Sequence, residues 1–137
     1  MTEPRSITPG AAVRWGIVGG GPMAAGFAAD LRQVDGAEIV AVTSRTVESA
    51  ARAGARLRID RVHPDLEAFS ADDTIDVAYV ATPHHTHAEI TIALLEAGVA
   101  VVCEKPFALD GDEARRMVGA ARDAGVFCME AMWTRFL

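Results

Sequence analysis

The stretch Trp15-Gly16-Ile17-Val18-Gly19-Gly20-Gly21-Pro22-Met23-Ala24 decides the fold. The apolar run Arg14–Val18 stops at three glycines, and an apolar-periodic segment, Met23–Gln33, starts directly after a proline. That is a strand, a tight turn and a helix. Gly19, Gly21 and Ala24 have the spacing GxGxxA, which carries a mechanism only where it joins a strand to a helix, as here. Gly19 permits the turn, Gly21 lets the backbone approach a pyrophosphate with no Cβ in the way, and Ala24 lets the helix lie close on the strand. Pro22 suits the first helical position, where its missing N–H costs nothing. The helix start then offers N–H groups and partial positive charge to a phosphate. Gly19, Gly20, Gly21, Pro22, Met23 and Ala24 are therefore candidate cofactor-binding residues. A glycine turn that binds nothing is the bland alternative, and the flanking strand and helix weigh against it.

Working outward, the runs Glu38–Thr43, Val77–Val80, Ala100–Cys103 and Phe127–Glu130 mostly lack a polar face, as strands covered on both sides should. Helix-like segments Val47–Leu57, His87–Ala97 and Gly111–Ala124 alternate with them. The last puts Ala114, Met117, Val118, Ala121 and Ala124 on one face. Thr86 with Glu89, and Asp110 with Glu113, have capping-box spacing or its Asp variant, and Gly36, Gly98 and Gly125 fall where helices should stop. Ile59 to Ser70 is weaker and predicts another short strand and one helical turn. Strands alternating with helices imply right-handed crossovers and a doubly wound parallel sheet of α/β class. Residues 1–12, with Pro4, Pro9 and Gly10 among polar neighbours, read as a disordered leader, and one domain fills 13–137.

Composition excludes several classes. The 137 residues suit a single domain. A net charge of −6 without a run of Lys or Arg argues against nucleic acid and against an anionic membrane. No apolar run approaches the ~18 residues of a membrane span, and Met1 to Val13 has no signal-like apolar core, so a cytoplasmic chain is expected. Cys103 and Cys128 end apolar runs without CxxC spacing and read as buried thiols in a reducing compartment.

The second strand ends Val42-Thr43-Ser44-Arg45-Thr46. A site that prefers NAD usually carries Asp or Glu there for the ribose hydroxyl. Glu38 is nearer the usual spacing but starts the strand, at the wrong end of the sheet. Ser44 and Arg45 instead suit a 2′-phosphate, so NADP is the expected cofactor, with NAD tolerated. A merely solvated Arg45 is the alternative.

Two further clusters sit at strand ends. In Thr82-Pro83-His84-His85-Thr86-His87 the histidines lack the i, i+4 spacing of a helical metal pair. No metal is expected, and Thr82, Pro83, His84 and His87 read as neighbours of the nicotinamide end. In Cys103-Glu104-Lys105-Pro106, Lys105 can hold a substrate oxygen and help move its proton, with Glu104 orienting it. A solvated ion pair at a helix-entry turn is the plainer reading.

In this order the clusters resemble the glucose–fructose oxidoreductase/inositol dehydrogenase (Gfo/Idh/MocA) family. The matching residues are Gly19–Ala24, Ser44-Arg45, Thr82-Pro83 with His87, and Glu104-Lys105-Pro106. The ending Met129-Glu130-Ala131-Met132-Trp133-Thr134-Arg135-Phe136 is most similar to the branch of dihydrodiol dehydrogenases and NADP-dependent xylose dehydrogenases. The resemblance implies a Rossmann domain that binds NAD(P), and hydride transfer with a sugar, polyol or cyclic diol. It implies that Lys105 acts beside the nicotinamide, that the Lys105–Pro106 bond is often cis, and that Lys105, Trp133 and Arg135 face substrate. A second, C-terminal α/β domain carries much of the pocket in such enzymes and often makes the oligomer contact. None of it lies in this chain, so this half alone is expected not to turn over substrate. Apolar surface around Trp133, Phe136 and Leu137 is then expected to be exposed. A non-catalytic NAD(P)-binding regulatory module is the competing reading. A flavin or S-adenosylmethionine site fits Ser44-Arg45 less well.

Overall fold

Strands apolar on both faces need a helical layer on each side. In the computed structural model, which describes residues 2–136, the chain provides both. Strands β1 (Val13–Val18), β2 (Ala37–Thr43), β3 (Val77–Val80), β4 (Ala100–Glu104) and β5 (Cys128–Ala131) form one sheet in the order β2-β1-β3-β4-β5. Every pairing is parallel. The connections carry α1 (Pro22–Leu31), α2 (Val47–Leu57), α3 (Leu66–Ala71), α4 (His87–Glu96) and α5 (Gly111–Ala124). The strand expected within 59–70 shrinks to one parallel bridge, Val42 to Val62, and α3 is the helical turn that follows.

Side chains alternate across the sheet with period two. Ile17, Val42, Tyr79 and Val102 pack with Ala24, Ala28, Ala53 and Leu57 of α1 and α2. Their neighbours Val18, Ala41, Val80, Val101 and Cys103 pack with Phe69, Leu94, Leu95 and Met117 of α3, α4 and α5. The strand order reverses between β1 and β3, which places a crevice beyond their carboxyl ends.

Local chemistry sets the helix ends. Thr46 and Ser49 form a reciprocal capping box at α2, with Ser49 N donating to Thr46 Oγ1 at 3.1 Å and Thr46 N to Ser49 Oγ at 2.9 Å. Asp110 caps α5 by accepting from Glu113 N at 2.9 Å, while Glu113 reaches back to Leu109 N rather than to the cap residue. The box expected at Thr86 does not form. The preceding residues turn as a 3-10 segment, His84–Thr86, and the Thr86 hydroxyl donates to Pro83 O at 2.6 Å instead. Helix α1 stops at Leu31, short of Gln33, and Gly36 (φ 78°) opens β2 rather than closing the helix. Val118 is 39% exposed, and Ala120 joins the α5 face packed on the core in its place.

The leader also departs from expectation. The Arg5 guanidinium donates to Ser70 O at 2.5 Å, to Ile75 O at 2.6 Å and to Asp72 O, and Arg5 N donates to Gly98 O at 3.3 Å. Polar composition hid this anchor: one guanidinium offers five donors, enough for several carbonyls that turns leave unpaired. At the other end Trp133–Phe136 forms a 3-10 turn with Trp133 and Phe136 exposed, and Leu137 lies outside the described residues. No described helix is long and apolar enough to cross a membrane.

Candidate functional site

The three glycines after β1 are needed for three different reasons. Gly19 has φ 111°, and a Cβ there would lie 2.5 Å from Ala81 O. A Cβ on Gly20 would lie 2.6 Å from the Ala53 Cβ, so Gly20 admits α2 against the turn. A Cβ on Gly21 would meet nothing within 4 Å. Gly21 is also the N-cap of α1, with no side-chain cap and with Pro22 at the first position. The helix therefore opens onto free space with N–H groups that no capping side chain satisfies, the arrangement a phosphate requires. Ala24 is fully buried under the turn. It sets the helix–strand distance and borders none of the three cavities described below.

Three cavities surround the turn. The main one, about 480 Å³, lies beyond β1, β2 and β3 and is bordered by Gly19, Gly20, Gly21, Ser44, Arg45, Thr82, Pro83 and His85, among others. A smaller one, about 100 Å³, adjoins it through Ala81 and Thr82 and is bordered by Met23, His84, Glu104 and Lys105. An outer one, about 450 Å³, lies between the turn and α2, against Gly20, Gly21, Ser44, Ser49, Arg52, Ala53 and Arg56. The structure thus brings the glycine turn, Ser44-Arg45 and Thr82-Pro83 together, and groups Met23, His84, Glu104 and Lys105 at one end.

Two predicted contacts have other work. His87 is fully buried. Its Nδ1 lies 2.9 Å from Pro106 O and its Nε2 2.9 Å from Thr82 O, so it ties the β3 turn to the β4 turn and borders none of the cavities. His85, passed over in the sequence, borders the main one. Glu104 was expected to orient the Lys105 side chain. Instead its Oε1 accepts from the Tyr79 hydroxyl at 2.8 Å and its Oε2 from Lys105 N at 2.8 Å. Both oxygens are engaged, so Glu104 fixes the backbone of the turn rather than the Lys105 side chain. Lys105 itself is exposed, on a cis peptide bond to Pro106. Trp133 and Arg135 are exposed and border none of the three cavities.

Several residues escaped the sequence reading. Tyr79 is buried in β3, its ring stacked on Phe27 with centroids 3.7 Å apart. Burial, then the bond to Glu104, raises its pKa well above the ordinary phenol range. A tyrosine inside a four-residue buried strand needs a partner for its hydroxyl, a signal that was available. Glu130 Oε1 accepts from Phe107 N at 2.9 Å and holds the chain just past Pro106. Ser49, Arg52 and Arg56 recur at helical spacing along α2, which also marked them in advance. Burial pushes the thiols up, Cys103 to about 12 and Cys128 to about 11, so neither is a nucleophile at neutral pH.

This architecture has known relatives. The model of an oxidoreductase family with an NAD-binding Rossmann fold, Gfo/Idh/MocA, matches residues 13–132. The trans-1,2-dihydrobenzene-1,2-diol dehydrogenase of Mus musculus is 39% identical over 127 residues, which are 91% of this chain and 38% of that protein. An NAD binding oxidoreductase from Klebsiella pneumoniae superposes with a TM-score of 0.82 at 29% identity, covering 88% of this chain and 34% of its own. A 3-ketoreductase from Actinomadura kijaniata, solved with TDP-benzene and NADP, superposes at 0.79 with 30% identity, covering 87% and 38%. The chain spans little more than a third of the length of these relatives. With the glycine turn, the switch-point crevice and the sheet order all in place, the chain belongs to the Gfo/Idh/MocA oxidoreductase family and forms its NAD-binding Rossmann domain.

Proposed function

We propose that this domain binds NADP in preference to NAD and serves an NADP-dependent dehydrogenase acting on a CH–OH group of a sugar, polyol or cyclic diol. The open cradle at Gly21 carries the reading: the turn approaches free space just where α1 presents uncapped N–H groups. Ser44 and Arg45 border the same cavity at the end of β2, with no carboxylate at the ribose position. Thr82, Pro83 and His85 would line the opposite wall, with Met23, His84 and Lys105 at the far end.

The cofactor supplies a hydride acceptor when bound. The chain's own groups do the rest. Lys105 is exposed in the small cavity, where its Nζ can hold the substrate oxygen and help move the hydroxyl proton as the C–H bond breaks. Glu104 and Tyr79 keep the Lys105 backbone in place. His87 fastens the two turns that border the cavity. Trp133 and Arg135 would reach substrate only with the help of a second domain of the kind the longer relatives have room for. Such a domain would carry most of the specificity and any contact between subunits.

Titration calorimetry of this chain with NADP⁺ and NAD⁺ tests the binding half of the reading, and tighter binding of NAD⁺ would overturn the NADP preference. For the catalytic half, residues 1–137 are fused to the remaining length of the mouse dihydrodiol dehydrogenase and assayed with diols and aldoses. Turnover that survives Lys105→Ala at the parent rate would remove the lysine from the mechanism.

A further inference from the structure

We propose that Arg52, acting with Arg45, is a specificity-determining residue that selects a 2′-phosphorylated adenosine, and that Arg56 braces the wall between them. This rests on the NADP reading above. The main and outer cavities meet at a rim of Gly20, Gly21, Ser44 and Ser49. Arg45 borders only the main cavity, whereas Arg52 and Arg56 border only the outer one. Ser44 therefore stands on the rim shared by two cavities, each of which is bordered by at least one arginine.

The polar groups on this rim are not equally available. The Ser49 hydroxyl accepts from Thr46 N at 2.9 Å and donates to Thr46 O at 3.0 Å, so it belongs to the α2 cap. Arg56 donates to Gly20 O at 3.2 Å, which fastens α2 to the glycine turn. Arg52 takes part in none of the ion pairs among the described residues and has its whole fork to offer. No carboxylate borders the outer cavity. The one bordering the main cavity, Asp65, is engaged as the cap of α3 by accepting from Ala68 N at 2.8 Å. Two arginine forks beside a serine hydroxyl at a helix start suit a phosphate dianion and exceed what a ribose hydroxyl requires.

The test is titration calorimetry of the 137-residue chain with 2′,5′-ADP and with 5′-AMP, for the parent and for Arg45→Ala, Arg52→Ala, Arg52→Lys and Arg115→Ala. Arg52→Ala should weaken 2′,5′-ADP about tenfold or more, the usual scale for a charge-assisted bond, and 5′-AMP far less. Arg52→Lys should recover only part of the loss, because an ammonium lacks the fork. Arg115→Ala, on the distant surface of α5, should match the parent. Far-UV circular dichroism checks that α2 persists in each variant. Equal losses for both nucleotides, or none, would overturn the role of Arg52. Should Arg45→Ala alone abolish the preference, the NADP reading stands and this proposal falls. Should the parent bind 5′-AMP as tightly as 2′,5′-ADP, the NADP reading itself fails and takes the proposal with it.

Discussion

Gly20 and Gly21 are neighbours in one motif, yet an alanine at each should have opposite effects. At Gly20 the new Cβ would sit 2.6 Å from the Ala53 Cβ, well inside van der Waals contact, with a backbone-anchored methyl as the obstacle. The backbone of Gly20 is not left-handed, so the whole penalty is steric and α2 must move. Overpacking of this kind costs about 1–3 kcal/mol, which for a domain this size lowers the melting temperature by roughly 5–10 °C. At Gly21 the φ of −77° suits any residue and the space is open, so Gly21→Ala should alter stability by less than about 0.5 kcal/mol. It should instead lose nucleotide affinity, because its methyl fills the phosphate cradle. A second substitution isolates the clash. Ala53→Gly alone costs about 1 kcal/mol as a helix-interior glycine, but paired with Gly20→Ala it removes the obstacle. The double variant should therefore be more stable than the sum of the singles by about 2 kcal/mol. Urea denaturation of the four forms measures that coupling, and thermal melts with and without saturating NADP⁺ measure binding. Gly20→Ala should keep a ligand-induced rise in melting temperature, and Gly21→Ala should lose most of it. Additive single effects, or a Gly21→Ala protein that is unstable without ligand, would refute this division of roles.

Arg5→Ala should destabilise the domain by about 1–2 kcal/mol, since the carbonyls of Ser70, Asp72 and Ile75 lose their common donor; hydrogen exchange should quicken at the α3–β3 connection before anywhere else. Asp76 is held below the usual carboxylate range: its burial opposes ionisation, but bonds from the Arg14 side chain and backbone outweigh it. Asp72 is lowered likewise, against burial, by Thr74, His63 and Arg61. Both therefore bind protons more readily unfolded, so their contribution is complete above about pH 4 and is lost as pH falls through the lower folded values; urea midpoints across acid pH should drop, and Asp76→Asn should flatten part of that slope. Cys103 and Cys128, with thiols raised to about 12 and about 11, should resist a disulfide reagent at pH 7 until the protein unfolds. Glu104→Ala should cost about 1–3 kcal/mol, because the Tyr79 hydroxyl and Lys105 N both lose their acceptor, whereas Lys105→Ala, at an exposed position, should leave the denaturation curve in place.

The segments that the sequence delimited well are those whose two ends both carry chemistry. Helices Val47–Leu57 and Gly111–Ala124 were read to the residue. Thr46 and Asp110 satisfy their opening N–H groups, and Arg58 (φ 57°) and Gly125 (φ 65°) turn their last carbonyls out of the helix. Helix α1 was overrun because no glycine stands at its end: Arg32 is still right-handed, and Val34 continues the apolar period beyond the helix. Thr86 has the right partner at the right spacing but the wrong predecessor. Pro83 offers a carbonyl within reach, and the hydroxyl takes that nearer acceptor.

At the site, the sequence told which residues stand at the ligand end of the sheet but not which of them the fold already uses. His87 and Glu104 looked like chemistry because they are polar and lie beside Thr82 and Lys105. A buried polar group must be satisfied, and each of these two has one partner far away in the sequence: Pro106 O for His87 and the Tyr79 hydroxyl for Glu104. Spacing rules reach across a helical turn or between neighbouring strands, so such pairings leave no local trace. The converse is more useful. Groups at the ligand end that the fold leaves unsatisfied are the ones still free to meet a ligand: the uncapped start of α1 at Gly21, the exposed Lys105, and Arg52 beside Ser44. Each stands next to a residue that the fold already uses, namely Gly20 against Ala53, Glu104 under Lys105, and Arg56 on the Gly20 carbonyl. The engaged partner restrains the backbone or the wall from which the free group projects. On the proposed reading, the backbone that carries these groups would already be in place when a cofactor arrives, which lowers the ordering cost of binding.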